Sequence, residues 1–114
     1  MDVGVYTFST DLDMAPQRFA VEVESRGFTA LMLPEHSHIP ADRTTPYPLV
    51  YGGGVLPDFY KRTHDPFVAL SFMAAATKVI RLGTGICLLA LRDAIHTAKM
   101  ASSIDTLSGG RFIF

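Results

Sequence analysis

Thr29-Ala30-Leu31-Met32-Leu33-Pro34-Glu35-His36-Ser37-His38 is the stretch that decides the fold. Ala30 to Leu33 are four consecutive apolar residues with no polar alternation, and two ionisable residues, Glu35 and His36, follow directly behind Pro34. A short apolar run closed by a turn signal is the pattern of a strand buried on both faces, which in soluble proteins means a parallel sheet covered by helices. Ligands in such folds bind at the carboxyl ends of the strands, so Glu35 and His36 stand at a functional address by position alone.

Upstream, Val3 to Tyr6 is a β-favouring run. Asp11 and Asp13 lie ahead of Pro16, placing carboxylates near a helix start. Pro16 to Arg26 then reads as a helix with Phe19, Ala20 and Val23 on one stripe and Gly27 as its stop.

Downstream, Ser37 to His64 holds Pro40, Pro46, Pro48, Pro57 and Gly52 to Gly54, and no periodicity survives. A loop this long at the ligand end of a sheet reads as a lid or substrate-recognition segment, with a flexible insertion as the plainer reading. Its Tyr47, Tyr51, Phe59 and Tyr60 either cover an aromatic ring system or pin the loop to the body. Gly52 to Gly54 lack the strand, Lys-Ser/Thr pair and helix start of a phosphate loop.

Asp65-Pro66 is a clear helix start, an acidic cap followed by proline, with His64 as a loop residue outside it. Phe67, Leu70, Ala74 and Ala75 form the expected apolar face. A third strand is expected over Val79 to Leu91; Gly83 and Gly85 inside it are costly unless a ligand or another backbone approaches closely. Asp93 caps a last helix through Leu107, with Ala94, Ala98, Ala101 and Ile104 toward the sheet, Met100 and Leu107 widening the stripe, and His96 and Lys99 solvated. Ser108-Gly109-Gly110 ends it. Arg111 to Phe114 begins a fourth strand, an ending that fits a chain completed elsewhere or by a partner.

Length and charge limit the rest. With 114 residues, 48% hydrophobic, and a mean hydropathy of +0.24, the chain is one domain with more apolar surface than it can cover by itself. A net charge of −1 with scattered Lys and Arg argues against nucleic acid and anionic membrane as partners. The single Cys87 excludes an internal disulfide and a Cys-rich metal site, in keeping with a cytoplasmic protein. No secretion signal opens the sequence, and no apolar run approaches the ~18 residues of a membrane span.

Periodicity alone does not separate an open doubly wound sheet from a barrel, although the first turn, Thr7-Phe8-Ser9-Thr10, lacks the glycines of a dinucleotide site. Four ordered stretches do: Glu24 to His36, Asp65 to Leu70, Ile80 to Gly85 and Asp105 to Phe112. Together they resemble the luciferase-like monooxygenase superfamily, and within it the coenzyme F420-dependent oxidoreductases. The resemblance implies an α/β fold of the (β/α)8 TIM-barrel type. Residues 1–114 would supply its first half, strands one to four and helices one to three, with a loop insertion at about 37–64.

It further implies a flavin- or deazaflavin-dependent oxidoreductase, performing hydride transfer or monooxygenation on a small organic substrate with F420, or alternatively FMN, as cofactor. His36 matches the histidine that lies beside the cofactor ring, and Glu35 is its neighbour in the motif. A non-prolyl cis peptide backing the ring is expected near Cys87-Leu88, with Gly85 just upstream. An imidazole with a pKa near ~6.5 suits His36 to donate a hydrogen bond to the ring or to move a proton at the substrate.

Barrels of this kind commonly hold cofactor phosphate with loops after strands seven and eight, which residues 1–114 lack, so weak or no cofactor binding is expected of the chain alone. The edges of strands one and four are expected to drive homo-oligomerisation, including a self-paired eight-stranded barrel. Two other readings stand beside this one. His36-x-His38 is compatible with a metal-dependent hydrolase on the same barrel, and the chain also fits a non-catalytic half-barrel fragment.

Overall fold

A computed structural model describes residues 1–114 and orders them as four strands alternating with three α-helices. Strands β1 (Gly4–Tyr6), β2 (Ala30–Leu33), β3 (Arg81–Thr84) and β4 (Phe112–Ile113) form one sheet in that order, with every neighbouring pair parallel. Helices α1 (Pro16–Ser25), α2 (Pro66–Ala76) and α3 (Ala94–Ser108) make the crossovers.

The register separates the two faces of the sheet. Val5, Leu31, Leu82 and Phe112 share one row and pack into the core with Ala20 and Val23 of α1, Phe67, Leu70 and Met73 of α2, and Ile104 of α3. Burying a leucine such as Leu31, Leu70 or Leu82 completely contributes about 1.5–3 kcal/mol each. The adjacent row, Tyr6, Met32, Gly83 and Ile113, points to the opposite face, where no helix lies. Tyr6 is 56% exposed there. One face covered by helices and one face open is the arrangement of a barrel wall seen from its lumen.

The helix starts follow their caps. Asp65 accepts a hydrogen bond from the Val68 N–H at 3.1 Å and Asp93 from the His96 N–H at 2.8 Å. Asp11 and Asp13 do not serve α1 as expected: Ala15 occupies its cap position, Asp11 is engaged by Arg62, and Asp13 accepts from the Thr10 hydroxyl. Gly27 and Gly109, both at positive φ, close α1 and α3.

The face of α3 differs from the alanine stripe expected. Thr97, Ile104 and Ser108 are buried, Met100 and Ala101 half-buried, whereas Ala94, Ala98 and Leu107 are exposed. The Thr97 hydroxyl donates to the Asp93 carbonyl and the Ser108 hydroxyl to the Asp105 carbonyl, so both polar groups enter the core already satisfied by their own helix. On α2, Ala75 is likewise exposed, and Met73 takes the inward position.

Two side chains brace the end of the sheet opposite the strand carboxyl termini. The Glu24 carboxylate accepts from the N–H groups of Lys78, Val79 and Ile80 at 2.7–2.9 Å. The Arg111 guanidinium donates to the carbonyls of Ala74, Ile80 and Ser108 and to the Thr77 hydroxyl, tying α2, β3 and α3 together.

Candidate active site

At the carboxyl ends of the strands the chain gathers what the motif announced. β3 is shorter than the expected strand and stops at Thr84. Gly85 N–H still donates to the Leu33 carbonyl at 2.8 Å, and beyond it the chain leaves the sheet. The non-prolyl cis peptide therefore lies at Gly85-Ile86, two residues before the expected Cys87-Leu88, because the departure from the sheet comes earlier. Residues 89–91 turn in a short 3-10 helix where strand was expected.

Glu35 governs this departure. Its side chain is 1% exposed; one carboxylate oxygen accepts from the Leu88 N–H and the other from Arg92 Nε, both at 2.6 Å. The second arm of Arg92 donates to Asp65 at 2.5 Å, and the guanidinium lies 4.8 Å from the centre of the Phe67 ring. Burial pushes the Cys87 thiol up from its ordinary value, and hydrogen bonding to the Glu35 carboxylate pushes it the same way, so the thiol stays protonated at neutral pH. Glu35 thus spends its carboxylate on the 87–92 segment, while Leu88 contributes its backbone.

His36 projects into a different environment. Its ring stacks on Phe8 at a centroid separation of 5.8 Å and 12° between planes, and meets the edge of Tyr60 at 4.8 Å. The Thr63 hydroxyl donates to its carbonyl. Burial lowers the imidazole pKa below its ordinary value, partly opposed by the negative charge of Glu35, so His36 is neutral at pH 7. His38 is exposed and bonded to the Ser37 hydroxyl, and no cluster of three or more His, Cys, Asp or Glu side chains suited to a metal ion forms.

The long loop is ordered by aromatic rings. Phe59 and Tyr60 pack on Phe8 at 4.7 and 5.1 Å, and the Tyr47 and Tyr60 hydroxyls lie 3.0 Å apart. That hydrogen bond, together with burial, pushes the Tyr60 phenol up to about 12. Arg62 holds Asp11 through two hydrogen bonds at 2.9 and 2.7 Å, and His64 N–H donates to the Ser9 carbonyl. Between loop and rim runs a cleft of about 630 Å³ bordered by His36, Arg43, Tyr47, Tyr51 and Tyr60 among others.

On the open face of the sheet, Gly85 leaves a shallow floor: the nearest atoms to a Cβ placed there are those of Met32 and of the Tyr6 ring, at 3.4–3.5 Å. Phe8, Arg92 and the second role of Asp65 escaped the sequence reading. Phe8 alone carried a signal, an aromatic residue two places past the first strand and hence on the rim.

The model of the luciferase-like monooxygenase family matches residues 13–114. An uncharacterized protein of Mycobacterium tuberculosis (strain ATCC 25618 / H37Rv) is 38% identical over 111 residues, which are 97% of this chain and 39% of that protein. The chain therefore spans well under half the length of the curated relatives it matches. Among solved structures, the coenzyme F420 dependent tetrahydromethanopterin reductase from Methanopyrus kandleri superposes with a TM-score of 0.66 at 23% identity, over 98% of this chain and 25% of that one. The oxygenating constituent of 3,6-diketocamphane monooxygenase from Pseudomonas putida, in complex with FMN, gives 0.70 at 17% identity, over 100% and 28%. The four parallel strands and three helices occupy part of a TIM barrel in these neighbours. The chain belongs to the luciferase-like monooxygenase family.

Proposed function

We propose that this chain is the His36-bearing wall of a flavin- or deazaflavin-dependent oxidoreductase acting on a small organic substrate, with F420 as cofactor and FMN as the alternative. The observation that carries the reading is the position of His36, a neutral imidazole at the carboxyl end of β2, stacked on Phe8, whose ring in turn meets Tyr6 of the open face. Such a cofactor supplies the hydride or the activated oxygen when bound, and the protein supplies orientation and charge compensation. Residues 85–88 would back the ring, held by Glu35 through Leu88 and Arg92. His36 would donate a hydrogen bond to the ring edge or carry a proton to the substrate. The relatives named as an F420-dependent reductase and as an FMN complex support both cofactors.

Two edges remain unpaired, β1 on one side and β4 on the other. They would be completed by further strands, whether of a longer chain or of a second copy pairing strand four to strand one in both directions. Elution of the 114-residue chain as a monomer at micromolar concentration would refute the self-paired form.

The cofactor reading is tested by titrating the chain with F420 and, separately, with FMN while following the His36 ring resonances by NMR and the ligand's fluorescence. Where ligand binds, a saturable change in both is expected, with the fluorescence change weakened in His36→Phe. Saturable binding of either ligand that leaves the His36 signals unchanged would overturn the placement.

A further inference from the structure

A histidine at a working site is ordinarily oriented by a hydrogen bond to one ring nitrogen, which leaves the other nitrogen for the ligand. His36 has no such bond. Its carbonyl accepts from the Thr63 hydroxyl, but neither ring nitrogen hydrogen-bonds to another residue, and neither is buried. The acid beside it in sequence does not supply the bond, because the Glu35 carboxylate is taken by the Leu88 N–H and by Arg92. Something else sets the plane of the imidazole.

Aromatic rings do so. Phe8 lies along the imidazole with the two planes 12° apart and the centroids 5.8 Å apart, and Tyr60 meets it at 4.8 Å with the planes 69° apart. Phe8 and Tyr60 are 5.1 Å from each other, so the three rings close a triangle in the stacked and tilted arrangements that aromatic pairs prefer. The triangle joins the turn after β1, the end of β2 and the long loop. Phe8 is itself held: Phe59 packs on it at 4.7 Å and Tyr6 at 6.2 Å, while the residues that follow it are tied to the loop through Ser9 with His64 and Asp11 with Arg62. It lies outside the hydrophobic core beneath the helices.

We infer that Phe8 is the positioning residue of His36: it fixes the plane of the imidazole, with Tyr60 closing a second side, and so leaves both ring nitrogens unbonded for a ligand. A neutral imidazole then offers one donor and one acceptor at once. As a role in catalysis this rests on the functional reading above. As the means by which the imidazole is oriented, it stands on the contacts of this chain and requires no cofactor.

The same ring bears on the proton of His36. Burial is the leading influence on the imidazole, and the charge of Glu35 opposes it. Among the other ionisable groups around it, Tyr60 shares a hydrogen bond with Tyr47, Asp11 is paired with Arg62, and Asp42 and Arg43 border the cleft that His36 borders. Replacing Phe8 changes the cover on the imidazole and leaves these groups in place.

The test follows the His36 ring protons of the 114-residue chain by NMR in the parent, in Phe8→Ala and in Phe8→Tyr. The parent should show cross-relaxation between the His36 and Phe8 rings. Phe8→Ala should displace the His36 ring signals and move their titration midpoint up toward the ordinary ~6.5, with the circular dichroism unchanged. Phe8→Tyr retains the ring and should keep both near their parent values. Absence of the cross-relaxation, an unmoved midpoint in Phe8→Ala, or equal displacement in the two variants would each overturn the inference. Loss of the circular dichroism in Phe8→Ala would overturn it as well, by making Phe8 a residue of the scaffold. A chain whose His36 responds to Phe8→Ala but to neither F420 nor FMN would remove the functional reading alone, and the converse result would remove this one alone.

Discussion

Arg92 Nε donates to the Glu35 carboxylate across 2.6 Å, with the two side chains 14% and 1% exposed. Such a pair repays its desolvation only while both partners are present. Glu35→Ala leaves the Leu88 N–H and a nearly buried guanidinium unmatched, with Asp65 as the one remaining carboxylate. We expect a loss of about 3–5 kcal/mol in urea denaturation, the range for breaking a buried ion pair from one side. Glu35→Leu combined with Arg92→Met should recover much of it. A single Glu35→Ala loss below about 1 kcal/mol, the ordinary value of a surface pair, would show that the network is solvated.

His36 gives a pH dependence of defined sign. Burial holds its folded pKa below the ordinary ~6.5, so the unfolded chain takes up the proton first as pH falls. The contribution of His36 to stability is complete above the unfolded value and is lost as pH drops through the two pKa values. Urea midpoints measured between pH 8 and pH 5 should fall toward acid, and His36→Gln should flatten that fall. The His36 ring proton followed by NMR should titrate below the ordinary ~6.5; a midpoint above it would mean that the charge of Glu35 outweighs burial.

Tyr60 should ionise near pH 12, because the hydrogen bond it shares with Tyr47 and its burial both oppose loss of its proton. Spectrophotometric titration of Tyr47→Phe should bring that step back toward the ordinary value of ~10. A titration curve identical in the parent chain and the variant would place the two hydroxyls apart in solution and loosen the wall of the cleft.

How far the sequence carried follows from which interactions leave a local trace. Caps do: Asp65-Pro66 and Asp93 named their helices because the acceptor lies three residues from the donor it satisfies. The apolar run Ala30 to Leu33 named its strand for the same reason. Contacts bridging more than fifty residues leave no such trace. Glu24 taking the N–H groups of 78 to 80, and Glu35 taking Leu88 and Arg92, read in sequence as an ordinary helix acid and a motif neighbour. The face of α3 was misread because Thr97 and Ser108 look polar until their hydroxyls are seen bonded to carbonyls of the same helix.

Gly83 and Gly85 read alike in sequence, both needing space, and the structure separates them. A Cβ on Gly83 would lie 2.5 Å from the Ile113 carbonyl oxygen and 2.9 Å from its Cβ, and the oxygen belongs to the neighbouring strand's backbone, which cannot swing aside. Gly83→Ala must therefore push β4 away from β3, where only two residue pairs hold the edge. We expect a loss of about 1–3 kcal/mol, the usual cost of overpacking, and faster hydrogen exchange at Leu82, whose N–H donates to the Arg111 carbonyl. A Cβ on Gly85 meets Met32 and Tyr6 at 3.4–3.5 Å, ordinary contact at a φ that other residues adopt. Gly85→Ala should keep the fold while adding one methyl group against Met32 and Tyr6 on the open face, so any loss of F420 or FMN response in that variant reads that face and not the scaffold. Equal destabilisation by the two alanines would mean that the β3-β4 spacing is looser than 2.5 Å implies.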